Sequence, residues 1–263
     1  MKVDNDLVIL SGLGEAVAFI TLNRPEHKNC LDKHTIHRLN ELQRQLEEDK
    51  AVQVVVIRGA GGTFSAGGDL KGYIDLYKQP EAFRTFLSEF HQLLDSIEDS
   101  KKIYVAIIDG YCAAGGLELL LACDVVIAAQ SAKIGDAHVN FGQLPGAGGS
   151  QRLPRTVGLM KARYLMFTGE FIDAIEAERI GLVSKVIADP DLEAFINKLL
   201  SRLSSMSPLG MAGMKHLVNQ GLKTDIASGL SMELDFVHHY ATTSRDATEG
   251  LIAFHEKRKP RFI

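Results

Sequence analysis

The feature that most limits the folds open to this chain is a buried strand that leads through a glycine pair into an apolar helix. Residues 105–125 read VAIIDGYCAAGGLELLLACDV, with Gly115 and Gly116 at the helix start and Glu118 as the carboxylate within the helix. Glycines at a helix start let a ligand approach backbone N–H groups that have no partner in the helix. Such donors can stabilise an oxyanion, and the segment therefore predicts acyl-enolate chemistry beside Glu118.

The same order of strand, glycine-rich turn and helix occurs earlier in the chain. An apolar run at 52–58 predicts a buried strand, and the sequence FSAGGDL at 64–70 leads from it into a helical region that ends near residue 101. Before it, alternating residues predict strands at 6–10 and 15–22, and Asp32 is placed to cap a helix that runs to about residue 50. Further strands are expected at 103–108 and 125–129.

Strand patterns end after about residue 186, and from residue 191 the chain predicts three or four amphipathic helices, one of them starting at Pro208. We therefore expect a core over 1–195 and a helical region over 196–263. A helical appendage of this kind is often an oligomer interface.

Composition excludes several classes of partner. A formal net charge of -4 argues against nucleic-acid binding, which needs a basic surface. No apolar run approaches the roughly 20 residues that span a bilayer, and the first ten residues do not resemble a secretory signal, so we expect no membrane partner and a cytoplasmic location. The three cysteines and the histidine pairs lack metal-ligand spacing, and we expect no metal. The glycines at 146–149 begin like a dinucleotide motif, but Gln151 stands at the third glycine position.

Several blocks in the same order resemble the enoyl-CoA hydratase/isomerase family, the crotonase superfamily. The blocks are LNRPEHKNCLD at 22–32, GTFSAGGDLK at 62–71, the segment 105–125, FGQLPGAGGSQRLPRTVG at 141–158, TGEFIDAIEAERIGLVSKV at 168–186 and AFHEKRKP at 253–260. The resemblance implies an α/β fold, the crotonase (ClpP-like) spiral of repeated ββα units with a C-terminal α-helical trimerisation region. It also implies a homotrimer or a hexamer made of two trimers.

Matching motif to motif, the resemblance implies an oxyanion hole made by the N–H groups of Ala66 and Gly115, with Glu118 activating a water molecule. Water addition to an enoyl thioester puts negative charge on the thioester oxygen. Loss of one preorganised donor to such an oxygen typically costs ~10²–10³ in rate. An apolar helix around Glu118 predicts a buried carboxylate with a raised pKa, which suits proton transfer.

The second catalytic glutamate of family hydratases is replaced here by His138. Imidazole can transfer protons near neutral pH, so His138 is a candidate acid–base residue. It is equally a candidate for substrate binding or for a structural role. Asp136 could share its face but does not match the glutamate position.

The resemblance further implies a set of substrate contacts. Backbone around 27–29 is expected beside the adenine of CoA, and Lys71 beside its phosphates or pantetheine arm. Phe254 and Lys257, near the C-terminus, are expected at the acyl pocket or the CoA phosphate, often across a subunit boundary. We expect Tyr73, Tyr77, Phe83 and Phe86 to pack in the core. The substrate-binding set is His27, Lys28, Asn29, Ser65, Gly67, Gly68, Asp69, Lys71, Phe254 and Lys257.

These features predict a lyase of fatty acid metabolism that hydrates a 2-enoyl-CoA or dehydrates a 3-hydroxyacyl-CoA. CoA belongs to the substrate, and no separate cofactor is implied. Because the second glutamate is missing, an isomerase, decarboxylase or C–C hydrolase acting on an acyl-CoA remains an alternative, and a non-catalytic acyl-CoA-binding subunit is a further one.

Overall fold

The larger sheet of the protein carries most of the strands that the apolar runs predict. In the computed structural model, which describes residues 7–262, its spatial order is β1-β2-β3-β5-β7-β10. Only the β1–β2 pair is antiparallel. The first predicted strand is confirmed from Val8 onward, whereas residue 6 lies outside the described residues. The strands are β1 (Val8–Ser11), β2 (Val17–Leu22), β3 (Val54–Gly59), β5 (Ile103–Ile108), β7 (Val125–Ala129) and β10 (Lys185–Ile187).

A smaller sheet, which the ββα units of the family resemblance imply but whose strands the residue pattern did not predict, has the order β4-β6-β8-β9. Its strands have two or three residues, too few for side-chain alternation to be recognised. Neighbours β4, β6 and β8 run parallel, so that their carboxyl ends meet at one edge of the sheet. The strands are β4 (Thr63–Ser65), β6 (Tyr111–Ala113), β8 (Lys133–Gly135) and β9 (Ile172–Asp173).

Helix starts follow the predicted caps. The Asp32 carboxylate accepts a hydrogen bond from the N–H of Thr35 at the start of the first helix. Pro208 begins a helix whose first turn is capped by Ser207. The helices are α1 (Lys33–Glu48), α2 (Leu70–Leu76), α3 (Pro80–Asp99), α4 (Gly115–Leu121), α5 (Gly149–Val157), α6 (Leu159–Thr168), α7 (Ala174–Arg179), α8 (Leu192–Leu203), α9 (Pro208–Gly221), α10 (Ile226–Thr243) and α11 (Arg245–His255).

The larger sheet is covered on both faces, which explains the uninterrupted apolar runs of its central strands. Every residue of β5 is buried. On one face the core includes α1 and α3, and on the other face α8 contributes Leu192, Ile196 and Leu200. Ile57 of the larger sheet and Phe64, which follows it in the chain, belong to the same core as α1 and α3.

The chain repeats one supersecondary unit. A strand of the larger sheet is followed by a strand of the smaller sheet and then by a helix, first in β3-β4-α2 and again in β5-β6-α4. After β7 and β8 the third unit ends in a short 3-10 helix, His138–Phe141. The predicted ββα spiral is therefore confirmed, and each turn ends at the same edge of the smaller sheet. No helix in the described part of the chain is long and apolar enough to cross a membrane.

Candidate active site

Three loops meet where β4, β6 and β8 end, and they enclose a cleft of about 1000 Å³. Each loop belongs to a different turn of the spiral. The residues that line the cleft and carry polar groups or tight turns include Lys28, Ala66, Gly68, Asp69, Lys71, Tyr73, Gly115, Glu118, His138 and Gly146. Most of the residues predicted for the site from separate sequence blocks therefore meet in one cleft.

Glu118 occupies the centre of this site on α4 and is only 2% exposed. Its Oε1 accepts hydrogen bonds from the N–H groups of Ala147 at 2.7 Å and Gly149 at 2.8 Å. Burial raises the pKa of the carboxyl above its ordinary value, while those hydrogen bonds and a positive charge on His138 oppose the shift. One carboxylate oxygen is thus fixed by the backbone, and Oε2 is left for chemistry.

His138 lies opposite that oxygen. Its Nε2 is 3.8 Å from Oε2 of Glu118, a separation beyond a direct hydrogen bond. Its Nδ1 is 3.1 Å from Oδ1 of Asp136, which is buried. The two side chains of different spiral turns therefore face one another across a gap that a third polar atom can bridge.

Gly115 presents its backbone between the two glycine-rich loops. Ala114 before it has a positive φ of 50°, and no side chain in the described part of the chain caps the start of α4. A Cβ built on Gly67 would lie 2.9 Å from the nitrogen of Gly115 and 2.7 Å from the Cβ of Ala114. Glycine at 67 thus keeps the N–H of Gly115 from being covered.

The other predicted oxyanion donor needs correction. The N–H of Ala66 donates to the carbonyl oxygen of Lys28 at 2.9 Å, because this loop pairs with the backbone of the segment before α1. The N–H of Gly67 donates to Oγ of Ser65 at 3.1 Å. The next N–H, that of Gly68, has no acceptor among residues 7–262. Ala66 lines the cleft, but its N–H is already engaged.

Comparison with known proteins agrees with this arrangement. The family model "Enoyl-CoA hydratase/isomerase" matches residues 12–263. The chain belongs to this family. A crotonyl-CoA hydratase of Syntrophomonas wolfei is 38% identical over 95% of both chains. Mouse mitochondrial methylglutaconyl-CoA hydratase is 34% identical over 100% of this chain and 85% of that protein.

A solved structure gives the same result for the fold. The crystal structure of enoyl-CoA hydratase from Bacillus anthracis matches with a TM-score of 0.91 and 34% identity, covering 97% of this chain and 98% of that chain. The crotonase fold is therefore confirmed, and the protein is an enzyme of the enoyl-CoA hydratase type. An acyl-CoA substrate is consistent with this family.

The remaining predicted binding residues of this family member fall into three groups. His27, Lys28, Gly68, Asp69 and Lys71 line the cleft. Asn29 and Ser65 lie buried beneath it and hold the loops: Asn29 donates to the carbonyls of Ala60 and Thr63, and Ser65 donates to the carbonyl of Asn29. Phe254 on α11 and Lys257 beyond it do not line the cleft, and Phe254 is 87% exposed.

Sequence reasoning missed two backbone groups that hold Glu118. Ala147 and Gly149 belong to the segment 146–149, which resembles an incomplete dinucleotide motif and is part of the family block at 141–158, but neither pattern indicated that its N–H groups hold a carboxylate. The signal that could have found them was a glycine-rich turn before a helix, facing the loop that carries the carboxylate. A Cβ on Gly149 would lie 3.1 Å from Oε1 of Glu118, so a larger residue there would crowd the carboxylate.

The four aromatic residues expected in the core line the cleft, and the expectation is wrong for Tyr77, which is 43% exposed. Phe86 is buried, as predicted, and its ring contacts that of Tyr73 edge-on at 5.9 Å between centroids. Tyr73 and Tyr77 stack at 5.5 Å. A Cβ on Gly68 would overlap the hydroxyl of Tyr73, so this aromatic wall lies directly over the first glycine-rich loop.

Proposed function

We propose that the protein adds water to a 2-enoyl-CoA, or removes it from a 3-hydroxyacyl-CoA, through a thioester enolate. The observation that carries this proposal is the position of Glu118. Its Oε1 is held by two backbone N–H groups, and its Oε2 faces His138 beside the two glycine-rich loops. Metal and redox chemistry have no part in the proposed reaction, and CoA enters with the substrate.

The thioester oxygen would accept hydrogen bonds from the N–H groups of Gly68 and Gly115. Gly68 is proposed in place of Ala66 because the N–H groups of Ala66 and Gly67 already have acceptors. Both proposed donors line the cleft. Donors fixed by the backbone need no reorganisation as charge develops on the oxygen, which is why they favour the enolate over the substrate.

Glu118 would act on the water molecule. Because Oε1 is held by the backbone, Oε2 can accept a proton from water as the water oxygen bonds to C3 of the enoyl group. Burial raises the pKa of this carboxyl, which strengthens it as a base while leaving it ionisable.

His138 would handle the proton at C2. In hydration the protonated imidazole gives its Nε2 proton to C2 of the enolate, and in dehydration neutral Nε2 removes it. In hydration Glu118 gains one proton from water and His138 loses one to C2. Transfer of a proton from Glu118 to His138 across the cleft then restores both groups. The 3.8 Å between Nε2 and Oε2 supports this division of roles, since both atoms face the same space.

Incubation with crotonyl-CoA in D₂O tests the proposal. We expect loss of the enoyl absorbance and a 3-hydroxybutyryl-CoA product that carries one deuterium at C2. A panel of longer enoyl-CoA thioesters would then test the proposed place in fatty acid metabolism. No hydration of any enoyl-CoA, together with turnover of a malonyl-type or 3-keto thioester, would refute the proposal and favour a decarboxylase or C–C hydrolase.

We also propose a homotrimer, or a hexamer of two trimers, in the cytoplasm. Exposed apolar side chains are frequent along the C-terminal helices and support an assembly, because large exposed apolar areas often meet a partner. They are Leu209, Met214, Val218, Leu222, Ile226, Leu230, Leu234, Val237, Leu251, Ile252 and Phe254. In such an assembly Phe254 and Lys257 would reach a neighbouring subunit's cleft. Light scattering after gel filtration tests this, and a monomer would contradict it.

A further inference from the structure

Asp136 is a buried carboxylate that pairs with the imidazole of His138. It follows β8 at the edge of the cleft and is 1% exposed. Its Oδ1 lies 3.1 Å from Nδ1 of His138, and no other side chain among residues 7–262 shares a hydrogen bond with it. Because a buried carboxylate is unfavourable without hydrogen bonds, this pairing has a reason to persist.

The backbone between the two residues is shaped to make this pair. Ala137 has a positive φ of 55°, in the left-handed region that residues with a Cβ seldom adopt. This turn ends β8 and starts the 3-10 helix at His138, which brings the imidazole back beside the carboxylate. Unusual backbone held in place beside a cleft is typical of functional sites.

The pairing determines which nitrogen of His138 can react. A carboxylate can only accept, so Nδ1 must carry the proton and donate it to Asp136. In the neutral ring Nε2 then has the free lone pair, and Nε2 is the nitrogen that faces Oε2 of Glu118. Carboxylates orient catalytic histidines in this manner in serine hydrolases, where they fix the tautomer without taking the proton.

We propose that Asp136 is a positioning residue that holds His138 with Nδ1 protonated and Nε2 directed at C2 of the substrate. This inference rests on the acid–base role proposed for His138. In this chain the histidine and its carboxylate partner together would replace one catalytic carboxylate of family hydratases.

The test is a double-mutant cycle on dehydration of 3-hydroxybutyryl-CoA. In Asp136→Asn the amide can donate to Nδ1 and favour the opposite tautomer. We expect kcat to fall roughly 10²–10⁴-fold with KM unchanged. His138→Gln should lower kcat similarly, and the double variant should be no slower than His138→Gln, because Asp136 acts through His138. Asp189→Asn, at an exposed turn where Asp189 binds Ser131, is the matched control and should keep wild-type kcat.

Nitrogen NMR of the histidine rings reports the tautomer in the wild-type enzyme directly. The wild-type enzyme should show His138 protonated at Nδ1, with the signal identified by its loss in His138→Gln. A neutral ring protonated at Nε2, or additive losses in the cycle, would overturn the inference. If Asp136→Asn keeps the wild-type kcat while His138→Gln is slow, the inference about Asp136 is wrong and the role proposed for His138 stands. If His138→Gln itself keeps the wild-type kcat, the role proposed for His138 is wrong.

Discussion

Oε2 of Glu118 and Nε2 of His138 lie 3.8 Å apart although their side chains come from successive turns of the spiral. The register of the smaller sheet sets this relationship. Ala113 at the end of β6 pairs with Gly135 at the end of β8, and the N–H of Ala114 donates to the carbonyl of Gly135. The helix with Glu118 and the turn with His138 therefore leave the sheet side by side. Site geometry depends on strand pairing more than on either loop alone.

Glu118→Gln should abolish hydration while the protein stays folded. The amide oxygen can still accept from the N–H groups of Ala147 and Gly149, but the side chain can no longer take a proton from water. We expect kcat for crotonyl-CoA to fall by roughly 10²–10⁴. Glu41→Gln, on the exposed face of α1, is the control and should keep full activity. Unchanged turnover in Glu118→Gln would remove Glu118 from the mechanism.

The raised pKa of Glu118 also predicts how stability and activity depend on pH. Between the unfolded value of 4.5 and the higher folded value, the folded state holds a proton that the unfolded state has lost. The wild-type free energy of unfolding should therefore fall relative to Glu118→Gln as pH rises through this window, and the difference should be constant above it. Urea denaturation of both proteins at several pH values measures this.

The kcat/KM of the wild type should fall as pH drops through the same folded pKa of Glu118, because the base becomes protonated.

Gly67→Ala should impair catalysis by covering an oxyanion donor. The new Cβ would crowd the nitrogen of Gly115 and the Cβ of Ala114. Loss of one such donor predicts a decrease in kcat of ~10²–10³. Gly14→Ala is a matched control for backbone strain, since both glycines have positive φ but a Cβ on Gly14 would meet nothing within 4 Å. If the two variants lose the same stability and keep the same kcat, Gly67 has no role at the donor.

Sequence patterns predicted the parts of this fold that rest on long periodic segments. The central strands, the Asp32 cap, Pro208 at a helix start and the burial of Glu118 all follow from local chemistry. The division at residue 195 stays a prediction. Strands β4, β6 and β8 are too short for periodicity, and so the pairing that brings the loops together was accessible only through the family resemblance.

The finer geometry of the site depends on backbone conformations that residue type does not indicate. Ala114 and Ala137 adopt positive φ, although a left-handed turn is normally marked by glycine. The engagement of the Ala66 N–H with Lys28 depends on a contact between distant segments. Motif matching alone could therefore place the first glycine-rich loop in the site without determining which of its N–H groups is free.

Lys215→Met should destabilise the whole protein. Lys215 reaches from α9 into the core, where its Nζ donates to the carbonyls of Ile97 and Lys102 and to Oδ2 of Asp124. Burial raises the pKa of Asp124 and the ammonium group opposes that shift. Methionine would leave the carboxylate and both carbonyls without this donor. Because the Asp124 side chain keeps part of its exposure, we expect this loss to cost about 1.5–3 kcal/mol, the range for hydrogen bonds to charged groups.

Chemical denaturation with Lys78→Met as the control checks this expectation. Lys78 pairs with Asp75 at an exposed position, so its loss should change the free energy of unfolding by at most ~1 kcal/mol. Asp124→Asn combined with Lys215→Met should recover part of the lost stability, because the carboxylate charge that has lost its partner is then removed as well. Equal stabilities of Lys215→Met and Lys78→Met would show that the ion pair does not hold α9 against the core.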